Sequence, residues 1–155
     1  MLFKIIGPIV ADDGSAWGWK GDPKSGYEAF QKAGLSMTYS GKAKVLKVST
    51  GPIIVTSEVA KAIELRFEED FTSKRVKKPS GYVQLLPRAT VTAEMEDENT
   101  LCSPLRVEPP AEARAGYSLL QNPPFLVFSE ECIAELKRWE PTLEVTEVAI
   151  LEPRS

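Results

Sequence analysis

The residues that could do chemistry in this chain are its acids, its hydroxyls and two thiols, because it contains no histidine. Without an imidazole, neither a Ser-His-Asp nor a Cys-His arrangement can be assembled. Cys102 and Cys132 are too few for a four-ligand zinc site built from Cys and His. The sequence has neither a Gly-x-x-x-x-Gly-Lys-Ser/Thr phosphate loop nor a Gly-x-Gly-x-x-Gly fingerprint. "DDGSAWGWKGD" (12–22) gathers Asp12, Asp13 and Asp22 among glycines, but lacks the spacing and terminal Glu of a calcium loop. Paired carboxylates remain, in "EED" (68–70) and "EMEDE" (94–98). A catalytic acid needs partial burial to raise its pKa, and contiguous charge runs of this kind read as solvated. The expectation is a chain with no catalytic residue, no metal site and no cofactor.

What the acids could do instead is steer association. Glu94, Glu96, Asp97 and Glu98 crowd together at a strand end and loop, where they could attract a basic protein partner. A solubilising hairpin tip is the competing reading. Trp17 and Trp19 lie two apart, so an extended segment would turn both to one side. Flanked by glycines, they suit contact anchors, or pins that hold a long loop on the core. The formal net charge of −3 disfavours a nucleic-acid binder, whose affinity rests on clustered Lys and Arg. The one basic run, "SKRVKKP" (73–79), reads as a solvated loop. No apolar run approaches the ~20 residues of a membrane span, and the start reads as mature protein rather than a leader. Together these features point to a cytoplasmic protein with both thiols reduced.

The elements that must position these residues are short. "LFKIIGPIV" predicts a strand broken at Gly7-Pro8, at an edge or a bend. A loop follows, then a two-turn helix from Ser25 to Gly34. "KAKVLKVS" alternates as a strand. "GYVQLLP" and "ATVTAEME" predict neighbouring strands joined at Pro87, and short strands fit around 105–107 and 117–120. "LEVTEVAIL" closes the chain as a strand. The sum is a single α+β domain over residues 1–155, mostly antiparallel, with six or seven strands and two or three short helices.

Two stretches share one plan: "PIIVTSEVAKAIEL" (52–65) and "PFLVFSEECIAELK" (124–137). Each has a proline entry, an apolar strand, a Ser-Glu pair and a helix, and without gaps they match at Pro, Val, Ser, Glu and Ala. Ser57 and Ser129 are the expected N-caps, with Glu58 and Glu130 in the first turns. Strand–helix junctions favour such pairs in general, and an internal duplication is the other reading. The arrangement also resembles the immunity-11 family of bacterial polymorphic toxin systems, which carry one such unit midway and one near the C-terminus. "GPIIVTSEVAKAIEL" resembles the first, and "PFLVFSEECIAELKRWEPTLEVTEVAILEP" the second together with the closing strand. That resemblance implies toxin binding and neutralisation, with no catalytic residues to carry over. A phage or mobile-element protein inhibiting a host defence enzyme shares the binding mechanism. A small-ligand-binding or carboxylate-based enzyme is the third class, and would require isolated buried acids in a deep pocket.

Overall fold

The computed structural model of the chain describes residues 1–11, 35–49, 51–95, 104–108, 113–118 and 125–150. Within them lie thirteen strands and two helices, an α+β fold. In chain order the strands of the first half are β1 (Leu2–Gly7), β2 (Ile9–Val10), β3 (Leu35–Ser36), β4 (Val45–Val48), β5 (Ile53–Thr56) and β6 (Phe71–Lys78). Those of the second half are β7 (Tyr82–Pro87), β8 (Thr90–Val91), β9 (Ala93–Met95), β10 (Pro104–Val107), β11 (Ala115–Ser118), β12 (Leu126–Ser129) and β13 (Glu144–Val148). Helix α1 (Ser57–Arg66) follows β5, and α2 (Glu130–Trp139) follows β12. The predicted helix from Ser25 to Gly34 lies outside the described residues. The strand number exceeds the expected six or seven because several strands are two to four residues long. Pieces this short show no alternation that a sequence pattern could reveal.

The strands form a six-stranded sheet in the order β2-β4-β5-β7-β6-β3, a five-stranded sheet β13-β1-β12-β11-β8, and a β10-β9 pair. Pairing is mostly antiparallel, with β2·β4, β3·β6 and β8·β11 parallel. Two expectations are corrected here. Gly7-Pro8 is a bend, but β1 is no edge strand; it lies between β12 and β13, and beyond the bend β2 enters the other sheet. Likewise β7 and β8 are not neighbours, because the chain leaves the six-stranded sheet after Pro87 and joins the five-stranded one. Both prolines thus accompany sheet changes, and Pro87 is not the turn of a hairpin between β7 and β8.

These two corrections expose a regularity. The path β1-β2-β4-β5-α1-β6 of the first half is repeated as β7-β8-β11-β12-α2-β13 in the second, with the same pairings. Val55 lies opposite Val83 and Thr56 opposite Tyr82; in the other sheet Phe128 lies opposite Phe3 and Ser129 opposite Leu2. Ile9 and Val10 pair with Lys47 and Val48, as Thr90 and Val91 pair with Tyr117 and Ser118. The loop bonds repeat as well: Thr56 N–H donates to Lys44 C=O at 3.0 Å and Ser129 N–H to Arg114 C=O at 2.7 Å. Each sheet also takes its fourth partner from the other half, since β7 sits between β5 and β6, and β1 between β12 and β13. The halves are therefore interwoven. Between β6 and β7 the chain needs only a tight turn, where Gly81 supplies a φ of +85°.

Exchange of the first strands explains the core. Its main cluster takes Val45, Ile53, Val55, Phe71 and Leu85 from one sheet, and Ile5, Ala115, Tyr117, Leu126 and Phe128 from the other. Val59 and Ile63 of α1, with Cys132, Ile133 and Leu136 of α2, complete it. Phe71 and Phe128 stack across the sheets with centroids 6.2 Å apart; truncating either to Ala would cost about 3–5 kcal/mol. Each sheet carries a smaller cluster on its far face: Leu46, Ile54 and Val76 for one, Leu2, Val127 and Val148 for the other. Because both faces are covered, the inner strands read as continuous apolar runs such as "PIIV" and "FLVF".

The two strand–helix units are one residue out of step with their gapless alignment. In the first, Thr56 rather than Ser57 is the N-cap, its hydroxyl accepting Val59 N–H at 3.4 Å. Ser57 is instead the first helical residue, and its hydroxyl donates to Gly81 C=O at 3.3 Å. In the second unit Ser129 is the cap as expected, accepting Cys132 N–H at 3.3 Å. The structural partner of Ser129 is therefore Thr56. Both cap residues hold near-identical extended angles, φ −64° and ψ 155° against φ −68° and ψ 162°.

Candidate functional site

The sequence-predicted contact residues Trp17, Trp19, Glu96, Asp97 and Glu98 lie outside the described residues. Glu94 belongs to β9, in register with Arg106 of β10; its side chain lies outside the described set.

Several acids prove to be structural. Asp70, expected to be solvated within the 68–70 run, is buried, whereas Glu68 and Glu69 are exposed. The turn after α1 directs Asp70 inward, where Oδ1 accepts the backbone N–H of Arg114 at 3.2 Å. Its Oδ2 lies 3.5 Å from the Arg114 guanidinium, which also bonds Glu131 at 3.0 Å. That guanidinium rests over the Phe67 ring at 5.6 Å. Chiefly the Glu131 hydrogen bond raises the Arg114 pKa, against burial and with Asp70 adding to it.

A second latch stands at the equivalent place in the other half. Glu140, the C-cap residue of α2, is buried and accepts the backbone N–H of Lys44 at 2.7 Å. The Thr142 hydroxyl donates to its other oxygen. Burial pushes the Glu140 carboxyl up, but the bonds from Thr142 and Lys44 outweigh it and hold the pKa below the usual carboxylate value. The Lys44 ammonium lies 5.4 Å from the Trp139 ring centre. Trp139 packs half-buried at the border of the core. The loop that brings Lys44 there is pinned by two tyrosines. Tyr39 accepts Ala43 N–H at 2.9 Å, and Tyr82 donates to Ala43 C=O. Burial, then Tyr39 and Glu140, raise the Tyr82 pKa. In both latches a carboxylate of one half caps the strand entry of the other, Asp70 at Arg114 and Glu140 at Lys44. The third buried acid, Glu135 of α2, pairs with Arg66 of α1 at 2.9 Å and with Arg138 at 3.2 Å.

Cys132 is buried, and burial raises its thiol pKa far above the ordinary value, with Asp70 and Glu135 adding to the effect. Both effects disfavour its thiolate form. Among the described residues no cluster of three His, Cys, Asp or Glu side chains is placed to hold a metal ion. No described helix is long and apolar enough to cross a membrane.

Two openings adjoin the outer end of α1. Leu65 is 89% exposed there, the most exposed large apolar side chain described. A groove of about 610 Å³ runs between Lys61, Glu64, Leu65 and Glu68 of this region and Phe71, Thr72 and Ser73 of β6, with Arg88 at its side. A hollow of about 290 Å³ adjoins it across Leu65 and Glu68, and reaches Asp70 and Arg114. The basic run corrects another expectation, because 73–79 is no loop: residues through Lys78 form β6, the longest described strand. Period-2 alternation was masked there because the strand's two buried residues, Phe71 and Val76, belong to different clusters on opposite faces.

No protein-family model matches the chain, and no curated protein is significantly similar to it.

Proposed function

We propose that this chain is a non-enzymatic binding protein which neutralises a toxin by stoichiometric occlusion, as the immunity-11 resemblance implies. The observation that supports this reading best is the employment of the described buried acids. Asp70, Glu135 and Glu140 are each tied to a cation or a backbone N–H of the other half or the facing helix. None is an isolated acid in an apolar pocket, which is what carboxylate-based catalysis would need. The described openings are shallow grooves with mixed polar walls rather than a deep apolar cavity. The absence of histidine in the whole sequence removes the commonest general base.

Contact through Trp17, Trp19 and the acidic residues Glu94, Glu96, Asp97 and Glu98 belongs to this proposal, with a basic protein surface as the matching partner. The cytoplasm as the working compartment belongs to it too. Co-expression with the product of the adjacent gene tests the reading. Rescue of growth together with a one-to-one complex on gel filtration is expected. An equally toxic neighbour, or rescue without a complex, overturns it.

A further inference from the structure

One stretch of backbone, the turn of residues 79–81, joins the two halves. Every other connection runs between elements of the same half, whereas much of the packing crosses from one half to the other. β7 lies between β5 and β6, and β1 between β12 and β13. Asp70 reaches Arg114, Glu140 reaches Lys44, and Arg66 pairs with Glu135. Phe71 stacks on Phe128. None of these contacts requires that both halves belong to one chain. A second copy could supply either half with the same residues in the same register.

The turn selects between the two. It brings β7 back along β6, from Arg75 opposite Val83 to Phe71 opposite Pro87. Gly81 holds its φ of +85° there, a backbone that side chains other than glycine rarely adopt. A Cβ at this position would meet nothing within 4 Å, so the restriction lies in the backbone alone. Gly81 C=O accepts Ser57 N–H at 3.0 Å and the Ser57 hydroxyl at 3.3 Å, which ties the turn to the start of α1. With residues 79–81 running straight instead, β6 would lead into a β7 that pairs with another copy. Two such chains close into a twofold dimer whose units each repeat the monomer. We infer that the 79–81 turn is a hinge through which two copies of this chain exchange halves, residues 1–78 of each folding onto residues 82–155 of the other. Closure within one chain acts at an effective concentration on the order of mM for a short link. The closed monomer therefore prevails in dilute solution, and exchange follows when chains fold at high concentration. Half exchange stands apart from the reading of the chain as a binding protein.

The full chain is unfolded in urea and refolded at about 1 mM and at about a hundredfold lower concentration, with mass read by gel filtration and light scattering. Wild type should give monomer from the dilute refold and a dimer fraction from the concentrated one. G81V penalises the closed turn by roughly tenfold. With two turns opened per dimer, its dimer should appear at about a hundredfold lower concentration than that of wild type. Asparagine tolerates the left-handed region, so G81N should stay near wild type. To identify exchange, R75C/V83C in a C102S background is refolded at about 1 mM and oxidised, since these positions face each other across β6 and β7. The exchanged dimer should run as two linked chains on a non-reducing gel, and the monomer as one. A wild type and a G81V that both stay monomeric after the concentrated refold overturn the proposal. So does a dimer whose bridge lies within each chain, which would be a surface contact, and so do equal dimer fractions in G81N and G81V.

Discussion

Glu140→Gln isolates the charge in one latch. The substitution keeps the shape and one acceptor, so Lys44 N–H, held at 2.7 Å, retains a partner. What is lost is the charge assistance in two bonds, from Lys44 N–H and from the Thr142 hydroxyl. Bonds to a charged acceptor contribute about 1.5–3 kcal/mol against about 0.5–1.5 for neutral ones. Two such differences, less the relief of no longer burying a charge, leave a net loss of about 1–2 kcal/mol. At about 2–4 °C per kcal/mol for a chain of this size, Tm falls by roughly 3–6 °C at pH 7. The folded-state pKa is depressed, so the stabilisation is complete above the unfolded-state carboxylate value and disappears as pH falls through the folded one. The Tm gap between wild type and E140Q must therefore close on acidification, by circular dichroism melts from neutral pH to about pH 3. A gap that is constant with pH, or an E140Q protein as stable as wild type at pH 7, refutes the latch.

The one-residue offset between the helix starts gives a direct comparison: Thr56→Ala should cost about 1 kcal/mol, whereas Ser57→Ala should cost only a few tenths, read as urea midpoints. The reverse order would restore Ser57 as the cap. In a Cys102→Ser background, Cys132 should resist Ellman's reagent in the native protein and react stoichiometrically in urea; fast native labelling would contradict its burial. Because each half lends its first strand to the other's sheet, residues 1–78 and 79–155 made separately should lack cooperative melting and regain it when mixed. A half that melts cooperatively alone would show that strand exchange is not required.

Much of this was legible locally. The start of helix α2 was readable, because Ser129 and Glu130 mark it by capping and the dipole. The apolar runs at 53–55 and 126–128 read as buried strands for the same local reason. The repeated topology was harder to see, because the identical Ser-Glu letters align two units whose caps stand one residue apart. The buried role of Asp70 was not readable. A carboxylate in an acidic run looks solvated until the turn after α1 carries it beneath Arg114, distant in sequence. Lys44 and Glu140 met in the same way, with nothing near either residue to announce the other.

By itself, then, the sequence determined what short-range physics controls: a histidine-free chemistry, the cap of the second helix and the apolar strands. Tertiary structure alone decided which strands meet. Turns at Pro8 and after Pro87 carry the chain from one sheet to the other, and the exchanged β1 and β7 gain their partners only when both halves are present. Strand pairing is a contest among many similar apolar segments, settled by register and shared burial across the whole core rather than by any segment's own residues. That contest also made the basic run part of a strand.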